Sequence, residues 1–229
     1  MNERKRIALY GGTFDPVHNG HMAVAQNVLR LFALDELLFI PAHVAPHKRG
    51  RVPTPGLQRY AMLALATQAD ERLRISTIEL DAPERPYTID TLARLQAEVG
   101  TEARLFFMMG ADSWADITTW REWERLLLAS DHIVVTRPGY ELSTEHVTDA
   151  VRGRLKDMRG LEPQRVAREL GEESAGMKIY VTDAVLMDVS ATTIRRAARE
   201  GREDVVGALV PPPVADYIKK YGLYTEREA

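Results

Sequence analysis

Apolar residues along the chain fall in short runs that stop at glycine or proline, and between the runs they recur at helical spacing. Residues 6–10 (RIALY) form the first run and end at Gly11-Gly12, which predicts a buried strand entering a glycine turn. From His21 onward Ala25, Val28, Leu29 and Phe32 mark a helix face. Residues 36–40 (ELLFI) predict a second strand, stopped by Pro41, and the prolines at 41, 46, 53 and 55 predict an irregular loop. A helix follows over about 57–69, then a strand over 73–80 (LRISTIEL) and a helix through Leu92, Leu95 and Val99 that ends at Gly100. Residues 104–109 (RLFFMM) form another apolar run ending in glycine, at Gly110. A helix over 122–129 and a strand over 132–136 (HIVVT) lead to Arg137-Pro138-Gly139. Residues 140–176 are charged and weakly patterned, which suggests a peripheral helical insertion with a solvated face. Strand character returns at 177–187, and from Ser190 the tail is helical with a break at Pro211-Pro212-Pro213.

Strands alternating with helices imply crossover connections and a parallel sheet. The expected fold is α/β, a doubly wound parallel sheet with a helical C-terminal part. A chain of 229 residues with 45% hydrophobic content suits one sizeable domain over 1–229. We expect a core over 1–187, including the insertion, and a helical part over 188–229. Ligands of such sheets sit beyond the carboxyl ends of the strands. Net charge is −3, without the basic excess of a sequence-independent nucleic-acid binder, so no nucleic-acid partner is expected. The absence of cysteine excludes disulfides and thiolate metal sites. The opening residues, MNERKRIALYGG, lack the apolar stretch of a signal peptide, and no apolar run approaches the ~20 residues that span a bilayer. The expectation is a cytoplasmic protein without a membrane partner; a homo-oligomer is left open.

Two segments carry candidate chemistry. The first is Gly11-Gly12-Thr13-Phe14-Asp15-Pro16-Val17-His18-Asn19-Gly20-His21. Glycines after a strand let the backbone turn sharply and approach a ligand. The free N–H groups and positive dipole end of the next helix favour an anion. If the chain is already helical at His18, both imidazoles face one pocket and each can donate to a phosphoryl oxygen. A protonated ring would add charge, a form that an anionic phosphate favours. Taken singly, the parts are common: Gly-Gly often follows a strand, and two histidines at this spacing also suit half of a metal site. No nearby carboxylate or thiol completes a zinc site. The second segment is Asp188-Val189-Ser190-Ala191-Thr192-Thr193-Ile194-Arg195-Arg196. Ser190 is a good N-cap, and the segment gathers backbone N–H groups, hydroxyls and a guanidinium at one helix start. Alone, it reads more readily as an ordinary capped surface helix.

Together these strings resemble the nucleotidyltransferase superfamily with the (T/H)xGH signature, here His18-Asn19-Gly20-His21. The form GGTFDPVHNGH is similar to the bacterial-type nicotinate mononucleotide adenylyltransferase branch. Ser190 to Arg195 resembles the superfamily's ISSTxIR element, with Val189 for the isoleucine and Ala191 for the second serine. Pro46-His47-Lys48, Tyr87-Thr88-Ile89-Asp90-Thr91-Leu92, Met109-Gly110-Ala111-Asp112-Ser113, Thr119-Trp120-Arg121 and Arg137-Pro138-Gly139 resemble the branch's PHK, YTxDTL, GxDS, TW and RPG elements. The resemblance runs through Tyr221-Gly222-Leu223-Tyr224 and omits only 140–176.

The resemblance implies a Rossmann-like fold. It also implies adenylyl transfer from ATP to nicotinate mononucleotide, giving deamido-NAD and pyrophosphate, a step of NAD biosynthesis. His18, His21 and Arg195 are the implied catalytic residues, with Arg195 and its helix start on the β- and γ-phosphates. Gly11, Gly12, Thr13, Phe14, Gly110, Asp112, Ser190, Thr192 and Thr193 join them around ATP. Thr13, Lys48, Thr88, Trp120, Arg121 and Arg137 surround the mononucleotide. Trp120 would stack on the pyridine ring, and backbone N–H groups at Thr88 and Arg121 would bind its carboxylate. Asp112 would accept from a ribose hydroxyl; Trp114 and Trp123 read as packing. Lys48 reads as a phosphate contact or as a solvated loop lysine. Mg²⁺ would ride on the ATP phosphates, with no protein metal site. Pantetheine-phosphate adenylyltransferases and cytidylyltransferases share the two phosphate elements but not YTIDTL, TW and RPG. A pyridine-nucleotide sensor and a fragment of a class I aminoacyl-tRNA synthetase are the remaining alternatives. The first carries an added DNA-binding module and the second a KMSKS-like loop, and the chain shows neither.

Overall fold

The computed structural model describes residues 4–43, 52–83, 86–171, 176–185, 187 and 189–225. Its sheet has seven strands: β1 (Lys5–Gly12), β2 (Glu36–Pro41), β3 (Leu73–Ile75), β4 (Ala103–Gly110), β5 (Asp131–Val135), β6 (Leu155–Asp157) and β7 (Ile179–Thr182). They lie in the order β3-β2-β1-β4-β5-β7-β6, and every pairing is parallel. Parallel strands are covered on both faces, which is why RIALY, RLFFMM and HIVV read as continuous apolar runs rather than alternating ones. One face packs against α1 (Asn19–Leu31), α2 (Gly56–Thr67), α7 (Pro163–Gly171), α8 (Ala191–Arg199), α9 (Glu203–Leu209) and α10 (Pro212–Lys220). The other packs against α3 (Thr88–Val99), α4 (Ala111–Ala115), α5 (Trp123–Ala129) and α6 (Asp149–Arg152). Side chains of β4 divide accordingly, Phe106 and Met108 into the first core, Leu105, Phe107 and Met109 into the second. The expected doubly wound sheet is therefore observed.

The order of strands locates the ligand crevice. From β1 the chain moves outward through β2 and β3, then returns to β4 on the other side of β1. The helices after β1 and β4 leave on opposite faces, so a crevice opens between the carboxyl ends of these two strands. Gly12 ends β1 and Gly110 ends β4.

Several elements differ from the sequence expectation. The strand expected over 73–80 stops at Ile75, because Ser76 and Thr77 turn the chain. Ser76 Oγ accepts from the Ile78 N–H at 3.3 Å, and the Thr77 carbonyl accepts from the Asp81 N–H at 2.8 Å. The strand over 177–187 is confined to Ile179–Thr182. The 140–176 region is not helical alone: besides α6 and α7 it supplies β6, which pairs with β7 at the sheet edge. Leu-Lys-Asp is too short and too polar to announce a strand, and only its neighbour's backbone makes it one. Trp114 is core as expected, fully buried with its indole N–H donating to the Ser143 carbonyl at 2.8 Å.

A buried polar network closes the amino ends of the strands, opposite the crevice. Arg104 donates to Asp131 Oδ2 at 2.7 Å, to the Tyr180 hydroxyl at 2.9 Å and to the Leu170 carbonyl at 2.9 Å. Beside it, His132 is fully enclosed in the second core, 5.8 Å from the Phe107 ring. Its Nδ1–H donates to the Ser130 carbonyl at 3.0 Å, so the neutral ring carries its proton there. Burial holds its pKa down at about 4, against an ordinary 6.5. Below pH 6.5 the unfolded chain takes up a proton that the folded chain refuses, so stability is lost as pH falls from 6.5 toward 4. We expect His132→Leu to flatten this decline by up to about 1.4 kcal/mol per pH unit. Denaturant unfolding of both proteins between pH 7 and 4 tests this, and a constant difference across that window would contradict a neutral buried His132.

Candidate active site

The loop after β1 turns on two unusual residues. Phe14 adopts a left-handed backbone with φ 49° and buries its ring among Tyr10, Phe39 and His21. That ring lies directly over Gly12, where a Cβ would come within 2.8 Å of it. Gly12 is therefore required by packing inside the loop, as well as by the turn. Asp15-Pro16 is a cis peptide, and Asp15 is buried.

The helix start differs from the sequence expectation in one informative way. α1 begins at Asn19, and His18 is its N-cap, with extended backbone (φ −144°, ψ 170°). The two histidines close a reciprocal capping box: His18 Nδ1 accepts from the His21 N–H, and His21 Nδ1 accepts from the His18 N–H, both at 3.3 Å. Their rings stack with centroids 3.6 Å apart. An imidazole whose Nδ1 accepts carries its proton on Nε2, so the cap fixes the same tautomer in both neutral rings. Each ring thus directs an Nε2–H donor away from the helix backbone. Burial lowers the His18 pKa to about 4, so His18 offers a hydrogen bond rather than a charge. Gly20 makes room for this: a Cβ there would lie 3.1 Å from His18 Nδ1 and 3.5 Å from the Val189 side chain.

Val189 belongs to the second motif, so the two motifs meet. α8 begins at Ala191 with Ser190 as N-cap, its hydroxyl accepting from the Thr193 N–H at 3.2 Å and sharing a 3.0 Å contact with the Thr193 hydroxyl. Arg195 reaches back across the crevice. One guanidinium nitrogen donates to the Asp15 carbonyl at 2.7 Å and another to the Thr192 hydroxyl at 3.1 Å. Two helix N-termini, two imidazoles and a guanidinium thus converge beyond β1, an array of donors suited to a polyanion.

On the other side of the crevice, Gly110 is exposed and a Cβ there would meet nothing within 4 Å, so its surroundings are open. Asp112 is exposed in α4, and Arg137 is exposed just beyond β5, in a turn closed by the Tyr140 N–H and the Arg137 carbonyl at 3.0 Å. Thr88 opens α3, so its N–H has no carbonyl to meet within the helix. The Arg121 guanidinium lies 4.5 Å from the Tyr87 ring, which brings the start of α3 against the Thr119–Arg121 turn. Trp120, half-buried, sets its indole edge-on to Phe107 with centroids 6.4 Å apart. Thr88, Trp120 and Arg121 therefore share one locality. Lys48, with Pro46 and His47, lies outside the described residues.

Three residues without a role in the sequence reading organise the site. Arg59 is almost fully buried in α2 and donates to four carbonyls: Thr54 at 2.8 Å, Thr13 at 2.8 Å, Ala42 at 2.7 Å and His43 at 3.2 Å. It stitches the loop after β1 to the loop after β2. Its signal was present in the sequence: Arg59 stands at helical spacing with Met62 and Leu63, on the stripe that faces the core. Glu79 accepts from the Thr91 hydroxyl at 3.0 Å and from the His43 backbone N–H, while burial raises its carboxyl above the usual range. It joins the loop after β2 to α3. Tyr224 donates to Asp15 Oδ1 at 2.8 Å.

Known proteins resemble the chain over most of its length. The profile of the Cytidylyltransferase-like family matches residues 9–197. A protein of Corynebacterium jeikeium named probable nicotinate-nucleotide adenylyltransferase is 36% identical over 218 residues, covering 95% of this chain and 100% of that protein. One of Desulfatibacillum aliphaticivorans with the same name is 36% identical over 222 residues, covering 96% and 99%. Among solved structures, Plasmodium falciparum nicotinic acid mononucleotide adenylyltransferase complexed with NaAD shares the fold with a TM-score of 0.70 at 20% identity, covering 96% of this chain and 97% of that one. No helix among the described residues is long and apolar enough to cross a membrane. The chain belongs to the Cytidylyltransferase-like family and, within it, to the nicotinate-nucleotide adenylyltransferases.

Proposed function

We propose that the chain transfers the adenylyl group of ATP to nicotinate mononucleotide, forming deamido-NAD and pyrophosphate in NAD biosynthesis. The observation that carries this reading is the meeting of the two anion-binding helix starts, joined by the Arg195 to Asp15 hydrogen bond. In this reading the 5′-phosphate of the mononucleotide attacks the α-phosphorus of ATP and pyrophosphate leaves in line. A phosphate monoester has a second pKa near ~6 and is already largely a dianion at neutral pH, so no general base is required. The protein's part is positioning and charge stabilisation.

His18 and His21 donate Nε2–H bonds to phosphate oxygens from rings already fixed in the right tautomer. The start of α8, with Ser190, Thr192 and Thr193, and the Arg195 guanidinium take the β- and γ-phosphates. Gly11, Gly12, Thr13 and Phe14 shape the cradle. Gly110 leaves space for the nucleoside, and Asp112 accepts from a ribose hydroxyl. The pyridine ring stacks on Trp120, its carboxylate between the Thr88 and Arg121 backbone N–H groups, with Thr13, Lys48 and Arg137 toward the mononucleotide phosphate. Among the described residues no three His, Asp or Glu side chains cluster as metal ligands. We infer that Mg²⁺ would arrive not at a protein site but on the triphosphate. Bound there, Mg²⁺ would neutralise phosphate charge alongside the protein's donors.

Pyrophosphate release with ATP, Mg²⁺ and either mononucleotide tests the assignment. We expect strong turnover with the acid and at least about a hundredfold less with the amide, whose NH₂ would meet backbone donors. Equal turnover would remove the carboxylate site, and no turnover with either would remove the substrate. His21→Ala should lower kcat about 10²- to 10³-fold with the fold intact by circular dichroism; near-normal turnover would sink its role. Trp120→Ala should raise KM for the mononucleotide about three- to tenfold, and an effect confined to ATP would misplace the pyridine ring.

A further inference from the structure

We propose that Tyr224 is a positioning residue for the reaction: its hydroxyl, bonded to the Asp15 carboxylate, keeps Arg195 on the Asp15 carbonyl and so aimed at the departing phosphates. The proposal rests on the reading of Arg195 given above.

The geometry places Asp15 between three partners. Its carbonyl accepts from Arg195 at 2.7 Å, its Oδ1 from the Tyr224 hydroxyl at 2.8 Å and its Oδ2 from the Thr54 N–H at 3.4 Å. Asp15 is 5% exposed, so water has little access to its carboxylate and its acceptors must be met by protein donors. On the far side of the Thr54 peptide, the carbonyl accepts from Arg59 at 2.8 Å. Thr54 thus links Asp15 to Arg59 through one peptide group, while Tyr224 engages the other carboxylate oxygen.

Asp15 offers two kinds of acceptor, the carbonyl that binds Arg195 and a carboxylate. An arginine prefers the carboxylate, because a charge-assisted bond is roughly twice as strong as one to a neutral acceptor. The Tyr224 hydroxyl holds that carboxylate at Oδ1 and so fixes the residue whose carbonyl binds Arg195. Burial and the neighbouring Asp15 carboxylate push the Tyr224 hydroxyl above its ordinary pKa, so it remains protonated and able to donate. The tail is shaped for this contact. After α10, Gly222 (φ 59°) turns the chain and the Leu223 N–H returns to the Ile218 carbonyl at 3.0 Å. Tyr224 itself takes a left-handed backbone at φ 67°, a conformation a tyrosine adopts only where its surroundings hold it. A residue 209 positions away in sequence thereby reaches the phosphate loop.

Tyr224→Phe removes the hydroxyl and keeps the ring that packs against the core. We expect kcat/KM for ATP to fall about tenfold, with KM for nicotinate mononucleotide unchanged and the unfolding midpoint lowered by no more than a few degrees. The decisive measurement is a double-mutant cycle with Arg195→Ala on the dissociation constant of ATP, read by calorimetry. If Tyr224 acts through Arg195, Tyr224→Phe weakens ATP binding in the wild-type background and has no further effect in Arg195→Ala. Equal losses in both backgrounds, or unchanged ATP kinetics in Tyr224→Phe, would overturn the proposal while leaving Arg195 in place. Undiminished turnover and ATP affinity in Arg195→Ala would instead remove the reading of Arg195, and the proposal with it.

Discussion

A buried guanidinium needs acceptors, and much of the site follows from how Arg59 finds them. Closed off from water, its donors would be costly to leave unpaired. They meet the carbonyls of Thr13, Ala42, His43 and Thr54, which come from two loops that share no secondary structure. Each loop is irregular by composition, one through Gly11-Gly12 and Pro16, the other through Pro41, Pro53 and Pro55. Burial lowers the Arg59 pKa and the Asp15 carboxylate raises it again, so the two charges are mutually supporting. The same Asp15 then presents its carbonyl to Arg195, which ties the C-terminal helices to the first loop of the chain.

The two histidines answer a different requirement. A helix start has unsatisfied N–H groups, and a capping side chain normally consumes one of them. A serine or aspartate at position 18 would cap as well, but it would not carry a second polar atom to the far side of a ring. Histidine accepts on Nδ1 and donates on Nε2, so capping and phosphate recognition use opposite edges of one imidazole. The reciprocal arrangement extends this to His21 and stacks the rings at 3.6 Å. It also explains why Gly20 precedes His21, since a side chain there would press on the His18 ring.

The fold was legible because parallel strands and amphipathic helices leave distinct periods in sequence, and the first phosphate loop was legible because glycines and histidines sit together. Other features lay beyond those signals. β6 depends on the backbone of β7 and not on its own Leu-Lys-Asp. The truncation at Ile75 turns on hydrogen bonds of Ser76 and Thr77, which the mostly alternating pattern of 73–80 does not announce. The tautomer of His18 and His21 required the cap geometry. Sequence reasoning favoured a protonated ring beside phosphate, whereas enclosure holds His18 neutral. Asp15 and Tyr224 were visible as letters of matching strings, but their bond joins the two ends of the chain and has no local signature.

These points bear on how a chain of net charge −3 can hold a triphosphate. A site built from many lysines would draw in any polyanion and lose much of its grip as salt rises. Here the donors are mostly fixed dipoles: two helix starts, neutral Nε2–H groups and hydroxyls at the cap of α8. Dipoles that are already oriented cost no reorganisation when charge shifts toward the leaving pyrophosphate. In the proposed reading a full positive charge is needed where that charge accumulates, and Arg195 is its source. Its aim matters more than its presence, because a guanidinium drawn onto a carboxylate no longer offers its full charge to a phosphate. In the proposed reading that aim is set by the Asp15 carbonyl, and the buried network of Asp15, Arg59 and Tyr224 holds its loop in place.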